Sequence, residues 1–400
     1  MKLLVVASAL DLRAPLGVTP SMWQLLKALA EQNVELVVTP YFGAAIESPW
    51  WTVAENPTQL EGDIAARLKD LVPSRLRRGQ RTDGEGASDR LTRVLVERVT
   101  KPRWQRHLAR IVEAHGDFDA VLFACVPPNH FSGVPALLER KFRVPSYFWD
   151  GDVPASLPRF AGFRTGFRIY EGADLGEFVA VLSNSKGGVD ELRQMGARDV
   201  EVFYYAVDPE LFAPMQVNQD IDVFFYGLGR EYREEWVDAM LDGPSRDLPE
   251  LRFAARGSRL GAMPSVRLLP YASFSKLKSY CCRSRVNLLI TRHAHASVYG
   301  SSTARPFELA ALGCAIVSNP YLGIEEWFEP GREILIVHNR EEAVGAYRAL
   351  AADPSLRNEL GQRARVRLLA EHTYARRAQQ LISLVQRTAQ SLTPSAPVGL

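Results

Sequence analysis

Glu308 stands near the start of a short helix-like run that opens on Ser302, Thr303, Ala304, Arg305 and Pro306 and closes on Gly313. Ser302 or Thr303 suits the N-cap, Pro306 the first turn and Gly313 the end. A helix start presents unpaired backbone N–H groups and the positive end of a dipole, which together suit phosphate. A carboxylate one turn in accepts hydrogen bonds from sugar hydroxyls. Phosphate and sugar hydroxyls at one place describe a nucleotide, and Arg305 adds a cation to it.

A second phosphate candidate is the run Gly227-Leu228-Gly229-Arg230-Glu231-Tyr232-Arg233. Its glycines permit a tight turn and close backbone approach. Tyr232 in place of a third glycine rules out a dinucleotide fingerprint. Gly229 with Arg230 and Arg233 can still clamp a diphosphate, since positive charge at a helix start opposes the dipole and calls for an anion. His293 and His295 follow an apolar run, and extended spacing would put both on one face. Two ligands make no metal site, so His293 is read as a neighbour of phosphate.

Three residues are candidates for proton transfer or for holding an acceptor hydroxyl. Asp150 and Asp152 flank Gly151 after Tyr147-Phe148-Trp149, and His130 follows Pro127-Pro128-Asn129. An Asp-Gly turn and a plain loop histidine are the structural alternatives. Gly17, before the helix start at Thr19 and Pro20, leaves room for an acceptor.

The elements that must position these residues alternate between strand and helix. Strand-like runs fall at 3–8, 34–40, 120–125, 145–149, 179–183 and 200–205, with helices at 20–31, 134–140 and 186–195 between them. The strands are apolar on both faces, the mark of a parallel sheet covered by helices. Val207-Asp208-Pro209 through Pro214 interrupts as a linker. A second series follows, with strands at 222–227, 251–255, 266–269, 286–290, 315–318 and 334–337. Its helices are expected at 230–241, 273–281, 303–312, 341–352, 355–371 and 374–388. Two α/β halves of this kind face each other across a cleft, and ligands sit at the carboxyl ends of parallel strands.

Four hundred residues, 46% hydrophobic and 24% charged with a net charge of +2, suit a soluble protein of two domains and give no global field for nucleic acid. The cysteines Cys125, Cys281, Cys282 and Cys314 lack pairing or metal spacing, which fits a reducing, cytoplasmic setting. The apolar start of the chain is cut short by Asp11 and Arg13, so it reads as a strand and not a signal peptide. No G-x-x-x-x-G-K-[ST] loop and no G-x-S-x-G elbow occur, which excludes P-loop nucleotidases and serine hydrolases. Residues 43–116 depart from the alternation, and Arg75, Arg77, Arg78 and Arg81 cluster there. That cluster is either a solvated loop face or a peripheral contact with a membrane or other anionic surface.

The chain resembles the GT-B glycosyltransferases, and among them the group 1 or spore-maturation-type branch. The likeness rests on Arg305-Pro306-Phe307-Glu308-Leu309-Ala310-Ala311-Leu312-Gly313, on Ile324-Glu325-Glu326-Trp327-Phe328, on Gly331-Arg332-Glu333, and on His372-Thr373-Tyr374 with Arg377. Val207 to Phe212 looks like the linker of that family, and the likeness spans about residues 178–385.

The resemblance implies two Rossmann-like, doubly wound domains. Residues 1–206 would take the acceptor, 207–219 link, and 220–372 bind a nucleotide-sugar donor. A helix over 373–391 would return to the first half, and 392–400 would form an unfolded tail. Glu308 would hold the donor ribose, and the backbone of Thr303, Ala304 and Arg305 with Arg230 would hold the diphosphate. Arginines and helix N–H groups would then do what a metal does elsewhere, so no metal or other cofactor is expected. The acceptor would be a small molecule or a glycan.

One departure stands out. Retaining relatives carry a second glutamate eight residues before the equivalent of Glu308, and that position here is Gly300. Retention or inversion is thus open. A nucleotide-sugar epimerase or hydrolase, or a non-catalytic scaffold on the same fold, is the competing reading.

Overall fold

The computed structural model describes residues 1–10, 21–60, 62, 87–162, 167–229, 233–270 and 273–392. Gly17, Thr19, Pro20, the arginines from Arg75 to Arg81, Arg230 and the tail beyond residue 392 lie outside the described residues.

The first half contains β1 (Lys2–Ala9), α1 (Ser21–Glu31), β2 (Glu35–Phe42), β3 (Thr52–Val53) and α2 (Ala87–Leu95). It continues with α3 (Lys101–His115), β4 (Ala120–Ala124), α4 (Val134–Phe142) and β5 (Ser146–Asp150). It ends with β6 (Ala180–Ser183), α5 (Val189–Gln194) and β7 (Val200–Val202). Its strands form one parallel sheet in the order β3-β2-β1-β4-β5-β6-β7. Alternation along β1 sends Leu3, Val5 and Ala7 into one apolar layer and Leu4 and Val6 into the other. Both faces are covered, which is why the strands read as unbroken apolar runs.

The second half repeats the plan with β8 (Ile221–Leu228), α6 (Glu234–Val237), α7 (Gly243–Asp247), β9 (Phe253–Ser258), β10 (Val266–Leu268) and α8 (Phe274–Cys282). Then come β11 (Ser284–Leu289), α9 (His293–Ala296), α10 (Ala304–Ala311), β12 (Ile316–Ser318), β13 (Leu335–Ile336), α11 (Arg340–Ala352), α12 (Pro354–Glu371) and α13 (Tyr374–Leu392). The parallel order is β10-β9-β8-β11-β12-β13. In each sheet the strand order reverses beside the first strand, so the crevice of the second sheet opens between the ends of β8 and β11.

Helix α13 packs on the first half. Tyr374, Ala378, Leu381, Leu384 and Val385 share an apolar layer with Leu25 and Leu29 of α1. The chain crosses back where Tyr374 N donates to Val207 O at 3.1 Å and Val207 N to His372 O at 3.3 Å. Lys27 of α1 holds the linker through Asp208 at 2.8 Å and Glu210 at 3.0 Å.

A second crossing lies nearer the cleft. Lys186 N donates to Gly300 O at 3.0 Å, Gly187 N to Tyr299 O at 2.8 Å and Ser302 N to Asn184 O at 2.8 Å. The Asn184 amide returns a bond to Ser302 O at 2.7 Å, and the Ser185 and Ser301 hydroxyls meet at 2.6 Å. The loop before α10 is thus zipped by backbone to the loop after β6. Gly300 makes this possible. Its φ is +57°, and a Cβ there would lie 3.0 Å from the Tyr204 hydroxyl and 3.2 Å from Lys186 Cβ. A glutamate at this position would need a strained backbone and the space of two side chains.

Candidate active site

Three arginines converge at the mouth of the second-sheet crevice. Arg233 Nη1 donates to Ile290 O at 3.0 Å, and Arg305 Nη1 reaches the same carbonyl at 3.3 Å. Ile290 follows β11 directly, so both cations meet at the strand end where the order reverses. Arg305 lies over the rings of Tyr226 (4.7 Å) and Phe225 (5.4 Å), which fixes its direction. Burial, with Arg305 and Arg292 nearby, pulls the Arg233 guanidinium down to about 9. A half-buried cluster of like charge is costly alone and is offset by a bound anion.

Helix α10 starts at the same place. Thr303 is its N-cap in extended conformation, and its hydroxyl makes no capping bond. The first-turn amides of Ala304 and Arg305 therefore receive no bond from the Thr303 side chain. One turn on, Glu308 is buried, and its Oε2 accepts the Tyr226 hydroxyl at 2.7 Å.

The structure redistributes several sequence expectations. Ser302 is wholly buried, and its hydroxyl accepts from Tyr205 N at 2.9 Å while donating to Asn184 O at 3.0 Å. It holds the two halves together and has nothing left for phosphate. His293 and His295 lie on the single turn α9, not on extended chain, so they point apart. His293 is exposed, whereas His295 is fully buried with Nε2 3.1 Å from Asp152 Oδ1. Gly229 sits at the end of β8 and donates its N–H to Ser258 O at 2.7 Å, so close to Arg259 that no Cβ would fit.

The two aspartates behave differently. Asp150 is buried and fully engaged: Oδ2 accepts the Ser156 hydroxyl at 2.5 Å and the Tyr170 hydroxyl, and Oδ1 accepts Asp152 N at 2.9 Å. Burial raises its carboxyl although those bonds oppose the rise. Asp152 turns toward the other half and pairs with Arg292 and His295. Burial works to raise the Asp152 carboxyl, but Arg292 and His295 hold it below the ordinary value. Burial also pushes the His295 imidazole down. His130 sits apart from this pair, in contact with the Tyr41 hydroxyl and 5.5 Å from the Phe167 ring. Burial, helped by Lys101, lowers it to about 4, so it is neutral near pH 7.

Sequence reading singles out neither Arg292 nor Tyr226, and of the H-x-H pair it favours His293 over His295. Arg292 is legible as a cation directly after an apolar strand, but the role of Tyr226 depends on a contact 82 residues away in the chain. An open groove on the outer face, lined by Arg103, Arg106, Arg110, Lys141, Glu55 and Glu113, mixes both signs of charge and lies away from the crevice. Among the described residues, no group of three His, Cys, Asp or Glu side chains is placed to hold a metal.

Residues 230–383 match the family model described as "Glycosyl transferase-like". No curated protein sequence matches the chain. Solved structures match it over nearly its full length. One is sucrose-phosphate synthase from Thermosynechococcus elongatus, with a TM-score of 0.65 and 15% identity over 98% of this chain and 99% of that one. A second is HepE from Anabaena in complex with UDP-glucose, at 0.59 and 12% over 98% and 100%. A third is the UDP-forming trehalose-phosphate synthase from Burkholderia vietnamiensis, at 0.60 and 11% over 97% and 99%.

The chain has the GT-B fold. Its second half carries the glycosyl transferase-like segment, and the arginine cluster, the start of α10 and Glu308 all lie within residues 230–383.

Proposed function

We propose that the chain is a metal-independent glycosyltransferase that moves a hexose from a nucleoside-diphosphate sugar to a hydroxyl of a small molecule or glycan. The observation that carries this reading is the meeting of Arg233 and Arg305 on Ile290 O beside the uncapped start of α10. A diphosphate leaving group develops charge as the glycosidic bond breaks, and fixed cations with helix N–H groups stabilise that charge without reorganising. Glu308, steadied by Tyr226, binds the ribose hydroxyls. Arg292 exchanges Asp152 for phosphate when the donor enters. Asp152 faces the donor half from the acceptor half and is the better of the two aspartates to accept the proton of the acceptor hydroxyl. Asp150 steadies its backbone by accepting Asp152 N, and His130, which lies apart, takes no part in the transfer. The UDP-glucose present in the HepE structure makes UDP-hexoses the first donors to try.

The test is calorimetry with UDP on the full chain, followed by Arg305→Ala and Glu308→Ala. Binding by the wild type that each variant weakens about tenfold or more supports the reading. No binding of any nucleoside diphosphate would sink it in favour of a scaffold. Product analysis with and without acceptor separates transfer from hydrolysis or epimerisation.

A further inference from the structure

Helix α2 has one anchored side and one bare side. Arg93 pairs with Glu171 at 3.3 Å and lies 4.6 Å over the Phe167 ring, fastening the helix to the first half. On the other side Leu91, Val94 and Leu95 are 72%, 48% and 49% exposed. Their i, i+3, i+4 spacing makes one continuous apolar stripe. Arg90 at its edge and Arg98 one turn beyond are also exposed. Asp89 falls on the opposite side of the helix, and Glu97 pairs with Lys101 at close range. The stripe is therefore apolar, rimmed by arginine and without a carboxylate of its own.

We propose that this face of α2 docks on an anionic lipid bilayer, with Leu91, Val94 and Leu95 in the headgroup boundary and Arg90 and Arg98 on the lipid phosphates. A monomeric soluble surface seldom leaves three large aliphatic side chains together, and a basic rim matches an acidic membrane better than a neutral partner. The position of the helix fits such docking. The turn Val96–Thr100 that follows α2 packs on the turn Pro128–His130 at the carboxyl edge of the first sheet. Phe167 and Glu171, which hold Arg93, flank Tyr170, the partner of Asp150. Docking would set the cleft rim of the acceptor half against the membrane plane. The proposal draws on none of Arg75, Arg77, Arg78 and Arg81, which lie outside the described residues, and it does not depend on the transfer reaction. No helix among the described residues is long and apolar enough to cross a membrane, so the contact is peripheral.

Flotation of the full chain with vesicles tests this, using phosphatidylcholine alone and phosphatidylcholine mixed with phosphatidylglycerol. The wild type is expected to float with the mixed vesicles and not with the neutral ones, and high salt should release it. Leu91→Glu combined with Leu95→Glu should lower the bound fraction about tenfold or more, since each leucine loses its apolar transfer energy. Arg90→Glu with Arg98→Glu should abolish the preference for anionic vesicles. Unchanged melting temperatures of both variants would show that folding is intact. The proposal is overturned if the wild type stays with the soluble fraction, or if floating survives both pairs of changes. It is equally overturned if the wild type runs as a dimer that the leucine variant dissociates, because the stripe is then a self-association face.

Discussion

The Tyr226 hydroxyl donates to Glu308 Oε2 at 2.7 Å across the interior of the second half, joining β8 to α10. The ring of Tyr226 also carries the Arg305 guanidinium 4.7 Å above it. One side chain thus orients both the carboxylate proposed for ribose and a cation proposed for diphosphate. Tyr226→Phe keeps the ring and removes only the hydroxyl. Its expected effect is confined to sugar recognition: the preference for UDP over 2′-deoxy-UDP should fall about tenfold, the worth of one hydrogen bond to a charged group. Titration of both nucleotides against wild type and variant reads this. An unchanged preference would remove Tyr226 from donor recognition while leaving UDP binding itself intact.

Arg233 gives a pH dependence with two opposite signs. Burial and the neighbouring arginines bring it to about 9, while in the unfolded chain it stays charged to far higher pH. The ligand-free fold therefore binds fewer protons than the unfolded chain above about pH 9, so this group's contribution to stability rises there. Diphosphate binding needs the charged form and so weakens over the same range. Calorimetry at about pH 9 in buffers of different ionisation enthalpy should show proton uptake on UDP binding, and Arg233→Ala should abolish the uptake.

Gly300 can be tested by restoring the glutamate found in retaining relatives. The left-handed φ and the 3.0 Å approach to the Tyr204 hydroxyl make Gly300→Glu a strained change at the crossing between halves. The expected cost is about 1–3 kcal/mol of stability, with no gain in transfer rate. A variant that melts like the wild type and turns over faster would show that the zipper opens during catalysis.

Both sheets were legible in the sequence because strands buried on two faces leave unbroken apolar runs. The start of α10 was legible because Thr303, Pro306 and Gly313 carry helix-boundary chemistry in their side chains or their lack of one. The assignment of Ser302 was not, because its two partners, Asn184 and Tyr205, belong to the other half and no local signal announces them. The H-x-H pair misled for a related reason: four residues suffice for α9, too few to display a helical period. What stays hidden is therefore the crossing of Asn184 with Ser302, which is long-range by nature and has no counterpart in the family resemblance that implies the return of the last helix.

Asp152 is the residue on which the joining of the halves and the chemistry meet. Its carboxylate holds Arg292 and lies 3.1 Å from His295, both in the other half. Asp152→Asn would leave Arg292 beside Arg233 and Arg305 without that counter-charge. The ligand-free protein should lose about 1–2 kcal/mol, a figure kept low because the Asp152 side chain is still partly in solvent. A nucleoside diphosphate would then meet a less neutralised cluster, so the thermal shift caused by UDP should grow while turnover falls. The pH dependence follows from the direction of the shift. The Asp152 carboxyl is held below the ordinary value, so its contribution is complete above about pH 4 and fades as pH falls through the native value. Melting curves of wild type and Asp152→Asn should accordingly differ near pH 7 and converge in acid. A variant as stable as the wild type at pH 7, with an unchanged response to UDP, would rule out the proposed exchange of Arg292 between Asp152 and phosphate.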